Sequence, residues 1–381
     1  MNYPLPLRRI RRIAVSSFFF LAGLCFSSWA SRIPDIQLKL HLDNAALGAV
    51  LLGLPSGLLT SLPLAGWLVA KFGSRPVATF AALLYAFTLP LLGLVNAVWQ
   101  LVTCLFIFGM GGNMLNISIN TQAIGTESLY GRTIMASYHG LWSLAGFSGA
   151  AIGTLLIGLG WLPYQHFLLI TALATFIVLI AGRHLVESDA NLPGDQPLFA
   201  RPDRSLINLG IIAFCSMICE GAMFDWSGVY FQKVVHPPKE LVAAGYTAFM
   251  ATMASGRFLG DWLATKLGIK KILQISGLLT TSGLLTAILF PWLFPAIGGF
   301  LLVGAGVSSV IPLVYSAAGR SKVLSPGVAL AAVSTIGYLG FLFGPPFIGF
   351  IAQAFNLRVS LGLIAVLGSV IVVMAAKTRF D

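Results

Sequence analysis

Two carboxylates lie inside an apolar stretch. In IIAFCSMICEGAMFDWSGVYF, residues 211–231, Glu220 and Asp225 stand among Phe, Met, Ile and Trp. Burial favours the protonated form of a carboxylic acid. An acid so placed can take a proton from one aqueous side and release it to the other. Proton coupling is the chemistry expected here, with Glu220 as principal group and Asp225 as its support or as a solute contact. The competing reading is a fixed ion pair or a cap on a neighbouring helix.

A second constellation is GGNMLNISIN, where Asn113, Asn116 and Asn120 recur at i, i+3 and i+7 and so share one helical stripe. Amides donate and accept hydrogen bonds, which suits a neutral polar ligand such as a sugar. Hydrogen bonding between helices is the alternative. In YHGLWSLAG, His139 is read as the one histidine well inside a span. Its unperturbed pKa of about 6.5 would let it relay protons; a neutral hydrogen-bonding role is the alternative. Tyr138 and Trp142, one turn apart, could form an aromatic shelf.

The expected cavity wall also includes Trp29 and Arg32 at the outer end of the first run, Trp226 beside Asp225, and Tyr338 in the eleventh run. Arg32 is expected to neutralise Asp35 or Asp225, or to bind an anionic group. Arg257 and Asp261, at i and i+4, join Lys71, Arg75 and Lys266 as the expected cytoplasmic gate or structural network.

The elements that hold these residues follow from composition. The chain has 381 residues, 57% hydrophobic and 9% charged. A soluble domain carries roughly 25% charged residues. Mean hydropathy is +0.89. Lipid must be the outer solvent. Twelve apolar runs of spanning length fall near 10–31, 44–70, 76–96, 98–122, 132–160, 163–185, 205–231, 240–265, 271–290, 293–316, 326–354 and 357–377. The basic start of the first run resembles a signal peptide, but the internal symmetry uses it as a span.

The net charge of +11 is not a nucleic-acid footprint, because 17 of the 23 basic residues gather at the termini and in alternate gaps between runs. That pattern places both termini in the cytoplasm. Cys25, Cys104, Cys215 and Cys219 all fall inside apolar runs and read as buried thiols. No metal cluster, phosphate loop or nucleophile–base arrangement is present in the pattern, so neither a cofactor nor an enzymatic activity is expected.

One polar stretch, VESDANLPGDQPLFARPDR, separates six runs from six. The expected organisation is a six-helix half over 1–185, a cytoplasmic linker over 186–204 and a second half over 205–381. The halves repeat. GWLVAKFGSR at 66–75 aligns with DWLATKLGIK at 261–270, an offset of 195 residues. With that offset the asparagine stripe corresponds to Ser308, Ile311 and Tyr315, so Ser308 and Tyr315 join the expected cavity. Such repeats mark secondary transporters, whose solute site lies near the bilayer midplane.

GWLVAKFGSR resembles the loop motif of the major facilitator superfamily, G-x-L-x-D-R-x-G-R. SWASRIPDI, HGLWSLAG, CEGAMFDW and GYLGFLFGPPFIG are similar to its fucose-permease-like branch and bacterial inner-membrane relatives. The motif's Asp is replaced by Ala70 and Thr265, and the fifth run lacks the Gly-Pro pair of antiporters. The resemblance implies an all-α membrane protein with twelve transmembrane helices in two pseudo-symmetric halves. It implies a single-chain carrier, monomeric, in the bacterial inner membrane.

The expectation is a secondary active transporter. It moves a small polar organic solute, with a sugar as one candidate, by alternating access coupled to protons or Na⁺. The alternatives are a proton-coupled exporter of amphipathic compounds and a membrane sensor or scaffold that moves nothing.

Overall fold

The computed structural model describes residues 5–130, 134–187, 204–320 and 326–378. No strand occurs among them. The first part of the chain holds α1 (Leu5–Ser31), the short α2 (Ile33–Lys39), α3 (Asn44–Leu51), α4 (Gly53–Phe72), α5 (Ser74–Leu94), α6 (Val98–Tyr130), α7 (Met135–Gly158) and α8 (Pro163–Ala181). The second holds α9 (Arg204–Tyr230), α10 (Ala244–Leu267), α11 (Ile269–Leu289), α12 (Leu293–Val307), α13 (Val310–Ala318), α14 (Pro326–Ala354) and α15 (Leu357–Lys377).

Helices α3 and α4 make one span, as do α12 and α13, so these elements form twelve spans. Eleven of them are long and apolar enough to cross a membrane. The twelfth is α10, which carries Arg257, Asp261 and Lys266 along its length. The expected runs and the helices agree at most ends. The largest difference is α6, which continues to Tyr130 rather than stopping at 122. Its 33 residues exceed the roughly 20 needed to cross the hydrocarbon core. Helix α14 is continuous through Pro345 and Pro346; neighbouring helices let a membrane span tolerate such breaks in its hydrogen bonding.

Contacts gather the chain into two units: Met1–His41 with Val50–Leu192, and Leu42–Ala49 with Pro193–Asp381. In the first unit α1 packs on α7, α8 and α6, α4 on α6, and α5 on α6 and α8. In the second, α9 packs on α14, α15 and α12, α10 on α12, and α11 on α12 and α15. The same pairing of equivalent helices is built twice.

Single positions carry the repeat. A Cβ at Gly109 of α6 would collide with the Leu54 carbonyl of α4, and a Cβ at Gly304 of α12 would collide with the Phe249 carbonyl of α10. Both partners are shifted by 195 residues, so the glycines permit one close crossing in two copies. Gly73 and Gly268, also 195 apart, have φ of 85° and 79°. Only glycine adopts that backbone without strain. This is the physical reason for the shared glycine in GWLVAKFGSR and DWLATKLGIK.

The segment 42–49 groups with the second unit through α14 and the end of α9. Lys233 Nζ donates to Asn44 Oδ1 at 2.8 Å, and the Asn44 backbone N–H donates to Gln353 Oε1 at 3.2 Å. Gly48 lies against Pro345 and Gly349. Residues 188–203 of the expected linker lie outside the described residues.

Candidate functional site

Helix α9 presents Glu220 toward α10. Its Oε1 lies 3.2 Å from Arg257 Nη2. The Glu220 side chain is 7% exposed and that of Arg257 18%. Tyr315 of α13 and Tyr338 of α14 lie within electrostatic reach of the same carboxylate. The acid and the guanidinium thus meet across α9 and α10, with the two phenols in the field of the same carboxylate. The Arg257 guanidinium reaches Glu220, where a buried acid in apolar surroundings needs a compensating charge. The Asp261 side chain lies outside the described residues.

Asp225 is half-buried on α9 and makes no ion pair among the described residues. Trp226 beside it is fully buried. Ser308 does not extend the site. It is buried, its hydroxyl donates to the Ala305 carbonyl at 2.8 Å, and it fills the space left by Gly256 of α10. Its equivalent in the first unit is Asn113, which donates from Nδ2 to Ser61 Oγ of α4 at 2.9 Å. Ser61 and Gly256 are again 195 apart, so this position of the stripe is a helix contact in both units.

The remaining two asparagines behave differently. Asn116 is exposed and Asn120 half-buried, and Asn120 Nδ2 donates to Asn116 Oδ1 at 2.9 Å. They form a linked amide pair on α6. On α7, Tyr138 is fully buried and stacks on Phe19 with ring centres 5.3 Å apart. Trp142 meets Phe26 at 6.1 Å. The aromatic shelf is therefore part of the packing of α7 on α1. His139 is exposed and meets Phe19 edge-on at 5.4 Å.

Arg32 is 2% exposed. Its Nη1 donates to Asp35 Oδ2 at 2.9 Å, and its Nε donates to His166 Nδ1 at 3.2 Å. Of the expected partners, Asp35 is the one it meets. His166 of α8 is fully buried, and it stands as near the start of its helix as His139 does to the start of α7. His166 lies three residues past the helix start, where sequence reading takes a polar group for an end residue. Accepting from Arg32 at Nδ1 leaves the ring proton on Nε2. Trp29 is buried one turn before Arg32.

The gate residues divide. Lys71 lies 4.7 Å from the Trp67 ring centre, and Lys266 lies 4.2 Å from that of Trp262. Each is a cation–π contact one turn apart on its helix. Arg75 donates to the carbonyls of Gly182 and Arg183 and pairs with Glu187 at 3.1 Å. It ties α5 to the end of α8. Gln122, which sequence reading passes over, does the same for α6: it donates to Ser74 Oγ and the Val186 carbonyl and accepts from the Val186 N–H.

The sequence profile of the Major Facilitator Superfamily matches residues 15–323. The chain belongs to the major facilitator superfamily. An uncharacterised MFS-type transporter of Yersinia pestis is 34% identical over 97% of this chain and 95% of the relative. A bacterial homologue of the human lysosomal transporter Spinster, in an inward-facing and occupied conformation, superposes with a TM-score of 0.77 at 16% identity, covering 99% of this chain and 98% of that one. The transporter FucP, in its outward conformation, gives 0.65 at 18% identity and covers both chains fully, 100% and 100%. At these identities the solved structures share the twelve-helix fold.

In this superfamily member the loop motif has Ala70 in place of its acid, and Arg75 pairs with Glu187. The Glu220–Arg257 pair had a readable signal: Glu220 is the deepest acid and Arg257 a base inside an apolar run. Opposite charges inside two apolar runs are natural partners.

Proposed function

We propose that this protein is a secondary active transporter that moves a small polar organic solute by alternating access, with a proton as coupling ion and Glu220 as the group that carries it. The observation that supports this reading is the buried Glu220–Arg257 pair between α9 and α10. An ionised acid inside a span costs about 2.5–3.5 kcal/mol on insertion scales unless it is compensated. Arg257 compensates it. A protonated Glu220 no longer holds the guanidinium by charge, so the pair has two states with different attachments between two helices. Proton load is thereby linked to helix position. Asp225 supports the site or contacts solute.

In the first unit the linked Asn116–Asn120 pair offers donors and acceptors without net charge. In the second unit the phenols of Tyr315 and Tyr338 do the same. Each set by itself suits a hydroxyl-rich or amide-bearing neutral solute, with sugars as the leading class. The proposed setting is the inner membrane of a bacterium, with both termini cytoplasmic and two six-helix halves joined by the 186–204 linker. The chain acts as a monomer.

The test uses proteoliposomes and a solute found by thermal-shift screening at millimolar concentration, where even weak binding stabilises measurably. Glu220→Gln imitates the protonated acid. The variant should keep counterflow of labelled solute and lose accumulation driven by a pH gradient. Full pH-driven accumulation by Glu220→Gln overturns the assignment.

A further inference from the structure

The turn closing the second span and the turn closing the eighth share one frame and differ in charge. In the first, Lys71 Nζ lies 4.7 Å from the Trp67 ring centre and 5.3 Å from that of Phe72. In the second, Lys266 Nζ lies 4.2 Å from the Trp262 ring centre. A glycine at positive φ ends both helices. Past the turn the copies diverge. Arg75 is occupied, with Glu187 at 3.1 Å and two backbone carbonyls as acceptors. The corresponding Lys270, with Lys271 after it, is exposed. Among the described residues, Lys266, Lys270 and Lys271 have no ion pair.

The apolar surroundings are as telling as the charge. Phe258, Trp262 and Lys266 follow at intervals of four and so share one face of α10. Phe258 is 56% exposed and Trp262 55%. An exposed indole at the end of a spanning helix sits at the level of lipid headgroups. At that level one turn carries three exposed lysines that make no ion pair among the described residues and can serve a phosphate, and an acyl chain below it would meet Trp262 and Phe258. A soluble anion would use the charges and leave the apolar face uncovered.

We propose that Trp262, Lys266, Lys270 and Lys271 form a headgroup site for an anionic phospholipid. The lysines donate to its phosphate oxygens, and the aromatic face of α10 receives its glycerol and upper acyl carbons. The equivalent turn at Lys71 is not such a site, because Arg75 is already bound within the protein. This inference rests on the chain spanning a membrane and is independent of the coupling role of Glu220.

The test reconstitutes the full chain in nanodiscs of phosphatidylcholine, with or without phosphatidylglycerol. It reads Tm, and it reads retained phosphatidylglycerol by native mass spectrometry. Phosphatidylglycerol should raise the Tm of the natural protein and remain bound to it, less so in high salt. The triple variant K266Q/K270Q/K271Q should lose most of that shift and the retained lipid. The arginine triple K266R/K270R/K271R and the single variant K71Q should keep both. Three results overturn the proposal: a full shift in the glutamine triple, an equal loss in K71Q, or the same shift produced by inorganic phosphate in phosphatidylcholine alone. Should the glutamine triple fail to fold, Lys270→Gln and Lys271→Gln are tested singly. Each should lose part of the shift, and no loss in either refutes the site.

Discussion

Arg257 Nη2 lies 3.2 Å from Glu220 Oε1, across 37 residues of sequence and between neighbouring spans. Each charge answers the other in surroundings that neither would tolerate alone. Arg257→Met should therefore be more harmful than its lost contact implies, because it strands the acid. Removing one partner of a buried pair costs about 3–5 kcal/mol, and replacing both by apolar groups is often neutral. Arg257 keeps 18% exposure, so the lower end applies. Glu220→Met combined with Arg257→Met should recover most of the Tm lost by Arg257→Met in detergent. Independent, additive losses would show that the two side chains are not coupled.

The amide pair on α6 should be reachable by water. In a cysteine-free background, Asn116→Cys should react readily with a small aqueous thiol reagent and Asn120→Cys more slowly. Asn113→Cys, Leu115→Cys and Ile119→Cys should resist, since Asn113, Leu115 and Ile119 are all buried. Equal labelling at all five positions would remove the amide pair from the solute path.

The doubled close crossing predicts matched mutants. Gly109→Val and Gly304→Val each force bulk against a backbone carbonyl of the neighbouring helix, at Leu54 and Phe249. Overpacking of this kind costs about 1–3 kcal/mol, occasionally more. Both should lower Tm and the yield of folded protein. Gly298→Ala, where nothing lies within 4 Å of an added Cβ, should be silent. Tolerance of either valine would mean that its crossing can open without cost.

The orientation is tested at the linker. Ser188→Cys in the cysteine-free background should be inaccessible to an impermeant reagent added outside intact cells and should label after lysis. Labelling from outside would invert the proposed topology.

Much of the architecture was legible because lipid leaves a chain few options. A span must satisfy its own backbone and be apolar over some twenty residues, so the runs at 326–354 and 357–377 are helices with those same ends. The repeat was legible for a related reason. Trp, Lys and Gly recur in the two loop motifs because each copy needs a cation over an indole and a backbone at positive φ.

The partners of the polar residues were not legible. Helical spacing tells which side chains share a face, and Asn113, Asn116 and Asn120 do share one. It does not tell what the face meets: Asn113 meets Ser61 of α4, while Asn116 is exposed. Ser308 occupies the same place and packs against Gly256. His166 reads as an end residue until Arg32 is found against its ring. By itself the sequence determined the spans, the duplication and the family, since these depend on local hydropathy and backbone needs. Only the tertiary structure decided that Glu220 belongs to Arg257 and Arg75 to Glu187, because charges inside apolar surroundings choose partners by distance across helices and not by position along the chain.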